Sequence, residues 1–137
     1  MLEQYVVDTF ADRLFEGNPA AVCVVDCWPE DELMLGIARE NALTHTAFVL
    51  PRAPGRYDMR WFTSKMEVEL VGHATMAAGY VVTRFLEPGV QTICFQTKGG
   101  LLTVKKAGKL LEMDFPAYTL KRLEGTDEIT EALGARP

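Results

Sequence analysis

From His73 to about Leu86 the chain carries Ala74, Met76, Ala77, Ala78, Tyr80, Val81, Val82 and Phe85, which cover nearly the whole circumference of the helix this spacing predicts. Such a helix has no polar face to turn to water, so other elements have to wrap it on all sides. The rest of the chain must supply that wrapping, and most of it reads as strands.

Gln4 to Phe10 and Ala20 to Val25 have strand character and are joined through the turn-rich run from Asp12 through Leu14 to Pro19, a long hairpin. Thr46 to Leu50 is a short apolar strand, and Pro51 to Arg56 is a Pro/Gly-rich turn. Tyr57 to Thr63 then sets Tyr57, Met59 and Trp61 on one side against Asp58, Arg60 and Phe62 on the other. Gln91 to Thr97, Leu101 to Lys106 and Leu110 to Phe115 follow as a three-stranded meander with glycine turns at Gly99-Gly100 and Gly108. Pro29 to Asn41 is an amphipathic surface helix, with Leu33, Met34, Ile37 and Ala38 at helical spacing and Glu30, Asp31 and Glu32 at its positive end. Gly125 to Gly134 is a further short helix, with Thr126 and Asp127 as cap residues. Hairpins before and after one apolar helix predict an α+β class: an antiparallel, barrel-like β-sheet roll around a central apolar α-helix.

At 137 residues the chain fits a single domain, 1–137. The net charge of -5 and the scattered lysines and arginines leave no basic stripe for phosphates, so nucleic acid is not an expected partner. The start of the chain lacks an apolar core long enough for a signal peptide, and nowhere do ~18 apolar residues run together. No membrane association and a cytoplasmic location are expected. Cys23, Cys27 and Cys94 read as reduced, partly buried thiols. The cysteines and the two histidines show none of the close spacings of a zinc site, so no metal is expected, and Gly99-Gly100 lacks the context of a phosphate loop.

The segment most suited to chemistry is Val71-Gly72-His73-Ala74-Thr75, where a strand end turns directly into the apolar helix. Helix starts offer unpaired N–H groups and a partial positive charge, so Gly72, His73 and Ala74 are placed to hold an anion beside a titratable ring. The other reading of His73 is a helix-start side chain satisfied by a backbone carbonyl. Asn18 and Thr63 either line a cleft or hold their own turns, and Asp8 is equally open. Glu67 and Glu69 alternate with Val68 and Leu70, so both are expected to face solvent rather than form a catalytic carboxylate pair.

Seven segments in order resemble the PhzF-like phenazine-biosynthesis family, which shares its fold with diaminopimelate epimerase. They are Asp8-Thr9-Phe10, Gly17-Asn18-Pro19-Ala20-Ala21-Val22, Thr46-Ala47-Phe48-Val49, Arg60-Trp61-Phe62-Thr63, Glu67-Val68-Glu69-Leu70, Gly72-His73-Ala74-Thr75 and Met113-Asp114-Phe115-Pro116. The resemblance implies one half of a two-half protein, with residues 1–120 as its core and 121–137 as the start of a crossover to a second half that is not in this chain. It implies cofactor-independent acid/base proton transfer on a small carboxylate-bearing molecule, an isomerisation or epimerisation in a cleft between halves. A complete site then needs a homodimer or a separate second half. The family's acid/base glutamate corresponds here to His45, within Thr44-His45-Thr46-Ala47-Phe48, and the cysteine that often precedes Gly-His corresponds to Val71. Implied site residues are His45 and His73 for proton transfer and Gly72, Ala74, Thr75, Asn18 and Thr63 for substrate. The alternative is a non-catalytic remnant or small-ligand binding module.

Overall fold

The computed structural model describes residues 2–13, 15–117, 119–122 and 126–135. The expected helix start at Gly125, Leu14 of the first turn, and the closing Arg136 and Pro137 lie outside them. Eight strands form one sheet: β1 (Leu2–Thr9), β2 (Asn18–Val25), β3 (Thr46–Ala53), β4 (Arg56–Phe62), β5 (Glu67–Val68), β6 (Thr92–Thr97), β7 (Gly100–Ala107) and β8 (Leu110–Asp114). The order is β1-β2-β3-β4-β6-β7-β8, with β5 paired to β4 alone. The helices are α1 (Asp31–Asn41), α2 (Gly72–Val81), which runs into a π-helical turn at Val82–Leu86, and α3 (Asp127–Leu133).

The two hairpins and the meander form in antiparallel register as expected, but the sheet is mixed. β2 pairs β3 in parallel, with Ala21 beside Thr46, and β4 pairs β6 in parallel, with Tyr57 beside Phe95. Each parallel pair is joined through a helix, α1 in the first case and α2 in the second. A crossover helix returns the chain to the end of the sheet it started from, so parallel pairing follows. α1 covers the outside of the sheet, where Met34 and Ala38 pack with Cys23, Val25, Phe48, Leu50 and Phe62. The inside holds α2, whose Ala74, Ala77, Ala78, Val81 and Val82 meet Val22, Val49, Met59, Trp61, Ile93, Phe95 and Val104. Fully burying each of the larger side chains is worth about 1.5–3 kcal/mol, which makes this interior the main support of the roll. The indole Nε1 of Trp61 is buried there without a hydrogen-bond partner.

α2 is not wrapped on every side. Tyr80 is 46% exposed and Phe85 52%, although six other α2 residues are buried. Strands β1 and β8 end the sheet without pairing each other, so the curl stays open and one stripe of the helix remains uncovered. Tyr5 of β1 stacks on Phe85 at 4.9 Å and covers part of it. On the far flank Gly79 allows close approach, since a Cβ there would lie 2.9 Å from Val104 Cγ1.

Glu67 departs from its expected place in solvent. Its side chain is only 17% exposed and forms ion pairs with Arg60 and Lys98. Arg60, itself 16% exposed, also reaches Asp31 of α1 and lies over the rings of Trp28 and Phe62. The cluster ties β4, β5, α1 and the β6–β7 turn together. Glu69 is exposed as expected. Of the cysteines, Cys23 is buried, Cys94 half-buried and Cys27 exposed, and all three are free thiols, so the partly buried description fails for Cys27. α3 starts on a Thr126 hydroxyl that accepts from the Ile129 N–H, which makes Thr126 its cap, and none of its residues is buried. Among the described residues no helix is long and apolar enough to cross a membrane.

Candidate functional site

The short strand β5 delivers the chain to α2 through Val71, which is extended (φ -140°, ψ 111°) and offers no side-chain cap. The Thr75 N–H reaches Val71 O at 3.2 Å, but Gly72, His73 and Ala74 precede the first position that an acceptor within the helix can serve. The positive end of a fully apolar helix is thus left without a capping side chain. His73 stands on that first turn.

His45 arrives from another direction. It immediately precedes β3, and its carbonyl accepts from the Ala21 N–H at 3.3 Å, which fixes it against β2. The fold sets its ring edge-on to that of His73, with centroids 5.0 Å apart and planes at 70°. Thr44 Oγ1 lies 3.4 Å from His73 Nε2, and His45 Nδ1 is buried without a partner. Burial lowers the His45 pKa; burial and then the charge of His45 lower that of His73. Burial thus disfavours the cationic form of both rings. Because each ring disfavours charge on the other, the pair takes up its first proton more readily than its second.

The other expected site residues are placed as follows. Ala74 is fully buried and can offer only its N–H. Thr75 is also fully buried, and its hydroxyl donates to Val71 O at 2.6 Å, holding the first turn closed. The Thr63 hydroxyl donates to Met66 O at 3.0 Å and accepts from the Lys65 and Met66 N–H groups at 3.1 Å, so it organises the turn between β4 and β5. Asn18 is exposed at the start of β2, where its carbonyl accepts from Thr9 Oγ1 at 2.9 Å. The Asp8 carboxylate accepts from the Phe15 N–H at 3.3 Å and holds the loop between β1 and β2.

Two neighbours of the site were not singled out in the sequence. Thr44 carries the signal of standing next to His45. Phe115 stands in the Met113-Asp114-Phe115-Pro116 segment of the resemblance, but its contact with Gly72 at the start of α2 forms only on folding: a Cβ on Gly72 would lie 2.8 Å from Phe115 Cζ. A separate groove of about 220 Å³, lined by Trp28, Asp58, Met59, Arg60, Gln96, Thr97 and Lys98, includes neither imidazole. Its charged walls are occupied by the Arg60–Glu67–Lys98 and Arg52–Asp58 pairs. Among the described residues no group of three or more His, Cys, Asp or Glu side chains converges as metal ligands.

Comparison with known proteins agrees with this architecture. The family model for phenazine biosynthesis-like protein (PhzC-PhzF) matches residues 7–135. An uncharacterized isomerase of Pseudomonas aeruginosa is 46% identical over 130 residues, which are 95% of this chain and 50% of that protein. The crystal structure of a Clostridium difficile phenazine biosynthesis PhzC/PhzF protein superposes with a TM-score of 0.87 at 45% identity, covering 100% of this chain and 52% of the other. A PhzF-family protein of Enterococcus faecalis superposes equally well, TM-score 0.87 at 38% identity, over 97% of this chain and 51% of its own. The chain thus spans about half the length of the relatives it matches. It belongs to the PhzC/PhzF phenazine biosynthesis-like family.

Proposed function

We propose that this chain forms one wall of an isomerase site that moves a proton at carbon on a small carboxylate-bearing molecule, without a cofactor, and that a second unit closes the site. The observation carrying this reading is the approach of His45 and His73 to 5.0 Å beside the uncapped start of α2. The substrate carboxylate rests on the N–H groups of Gly72, His73 and Ala74, where the helix charge favours an anion. One neutral imidazole removes the proton from carbon and becomes cationic. The same or the neighbouring ring returns a proton, and the mutual disfavour of two charges keeps the pair from saturating. General acid/base groups of this kind contribute ~10²–10⁴-fold. The isomerase name of the Pseudomonas relative supports the general kind of reaction.

The second unit is another copy of the chain or a separate second half. Phe10, Phe15 and Met66 are 74%, 93% and 61% exposed, and all three sit in connections at the end of the sheet where His45 enters β3. Apolar side chains gathered at one end of a soluble protein mark a contact surface.

Incubating the chain with a panel of small carboxylic acids in D₂O and reading label by mass spectrometry tests the chemistry. Incorporation lost in both His45→Ala and His73→Ala is the expected result. Binding without incorporation replaces the isomerase with a small-ligand binding module, the reading favoured by His45 standing where the family resemblance places an acid/base glutamate. Light scattering tests the second unit, and a monomer throughout the micromolar range eliminates self-pairing.

A further inference from the structure

We propose that Glu67 is a positioning residue of this site: through Arg60 and Lys98 it fixes β5, the short strand that leads the chain into α2, and thereby holds the His73 ring against that of His45. The proposal rests on the reading of the two rings as one proton-transfer site and adds to it a residue that acts through the backbone.

One end of the sheet makes the connection. His45 immediately precedes Thr46 of β3; Thr46 pairs with Phe62 of β4, and Phe62 pairs on its other side with Glu67 of β5. A single row across three strands therefore carries the entry of His45 on one side and the origin of the His73 segment on the other, with β4 as the shared frame. The two sides are held unequally. β3 pairs with β4 from Thr46 to Ala53 and with β2 as well, whereas β5 is two residues long and β4 is its only strand partner among the described residues. A ladder of two residue pairs offers few hydrogen bonds against displacement.

The Glu67 side chain supplies what that ladder lacks. Its carboxylate accepts from Arg60 Nε at 2.7 Å and Nη2 at 2.8 Å, and Arg60 stands on β4 itself, two residues before Phe62. Such a two-pronged contact between ionised groups is about twice as strong as neutral hydrogen bonding and fixes direction as well as distance. Lys98 adds an ion pair from the β6–β7 turn, and the next residue of that turn, Gly99, lies so close to the outgoing chain that a Cβ on it would meet Glu69 O at 3.2 Å. Arg60 is anchored in turn by Asp31 of α1 at 2.9 Å. The segment from Glu67 to Val71 is thus gripped by β4 and by the β6–β7 turn just before it enters α2 at Gly72, one residue ahead of His73. Proton transfer between positioned groups is sensitive to such placement, since a misplacement of about 1 Å can cost about 10²-fold.

The test reads the rings rather than the reaction. In the unaltered chain NMR is expected to show a nuclear Overhauser contact between the ring protons of His45 and His73, in keeping with their centroid separation of 5.0 Å. Glu67→Gln, measured where circular dichroism shows it folded, is expected to weaken that contact several-fold and to shrink the response of the His73 titration midpoint to His45→Gln. Arg52→Gln, which removes the Arg52–Asp58 pair toward the other end of β3 and β4, is the control and is expected to leave both signals unchanged. Should Glu67→Gln not fold, Lys98→Met, which keeps the Arg60 bonds, carries the test and is expected to weaken the ring contact measurably. If folded Glu67→Gln, or Lys98→Met in its place, loses stability and leaves the rings as they were, Glu67 only stabilises the fold and the proposal is overturned; an equal change in Arg52→Gln overturns it too. Absence of the ring contact in the unaltered chain refutes the two-ring site itself and this role with it.

Discussion

Replacing Glu67 with glutamine should remove the strongest charged contact of the fold. Its carboxylate takes two hydrogen bonds from Arg60, Nε at 2.7 Å and Nη2 at 2.8 Å, and an ion pair from Lys98. Arg60 and Glu67 are 16% and 17% exposed, so both are largely withdrawn from water. Breaking a fully buried pair costs about 3–5 kcal/mol. Here Arg60 keeps Asp31 at 2.9 Å, but that carboxylate is 72% exposed and contributes little. A loss of about 2–3 kcal/mol is therefore expected near pH 7. Urea denaturation followed by tryptophan fluorescence measures it: with an m-value of about 2 kcal/mol per molar, the midpoint falls by roughly 1 M. Arg60, first, holds the Glu67 carboxyl below the usual glutamate range, with Lys98 adding to it. A carboxyl with a depressed folded pKa stabilises above its unfolded pKa, and that stability is lost as pH falls through the folded value. The difference between the unaltered chain and Glu67→Gln should accordingly shrink toward pH 3. Glu69→Gln, at an exposed position, should stay within about 0.5 kcal/mol. If Glu67→Gln and Glu69→Gln prove equally mild, or if the Glu67 effect does not depend on pH, the cluster is not the clamp described.

Glu87→Ala should destabilise by about 2 kcal/mol in thermal denaturation, because its carboxylate accepts from the Gly55 N–H and the Tyr57 hydroxyl and its loss leaves two part-buried donors unmet. An effect below about 0.5 kcal/mol would mean that water replaces it freely. Towards a thiol reagent in the folded protein, exposed Cys27 should react first and half-buried Cys94 more slowly, while Cys23, whose pKa burial pushes up to about 12, should react only on unfolding. Prompt labelling of Cys23 would contradict its place under α1.

Much of the fold was legible because hydrophobic period and turn chemistry agree segment by segment. The period-2 alternation of β4 set Tyr57, Met59 and Trp61 inward, and all three are buried. The Thr126 cap and the glycine turns of the meander are local features that need no knowledge of the rest of the chain. What alternation could not separate was Glu67 from Glu69: the same period places them on one face, and only the arrival of Arg60, Lys98 and the β6–β7 turn distinguishes them. Parallel pairing was hidden for a related reason, since strand order is decided by where the crossover helices return. Composition made α2 an all-round apolar helix, yet Tyr80 and Phe85 stay exposed because the sheet edges do not meet. At the site, Gly72 and His73 were conspicuous as a helix start. The meeting of His45 with His73, residues 28 positions apart in sequence, follows from the parallel register of β2 and β3 and could be anticipated only through the family resemblance. The contact of Phe115 with Gly72, 43 positions apart, is likewise set by the tertiary fold.

The claim on which the functional reading depends is that the two imidazoles share one corner of the molecule. The most direct test is to titrate the ring signals of His73 by NMR in the unaltered chain and in His45→Gln. Burial keeps the His73 midpoint below the ordinary histidine value in both, but removing the charge of His45 should move it upward. A His73 midpoint unmoved by His45→Gln would place the rings too far apart to pass a proton between them.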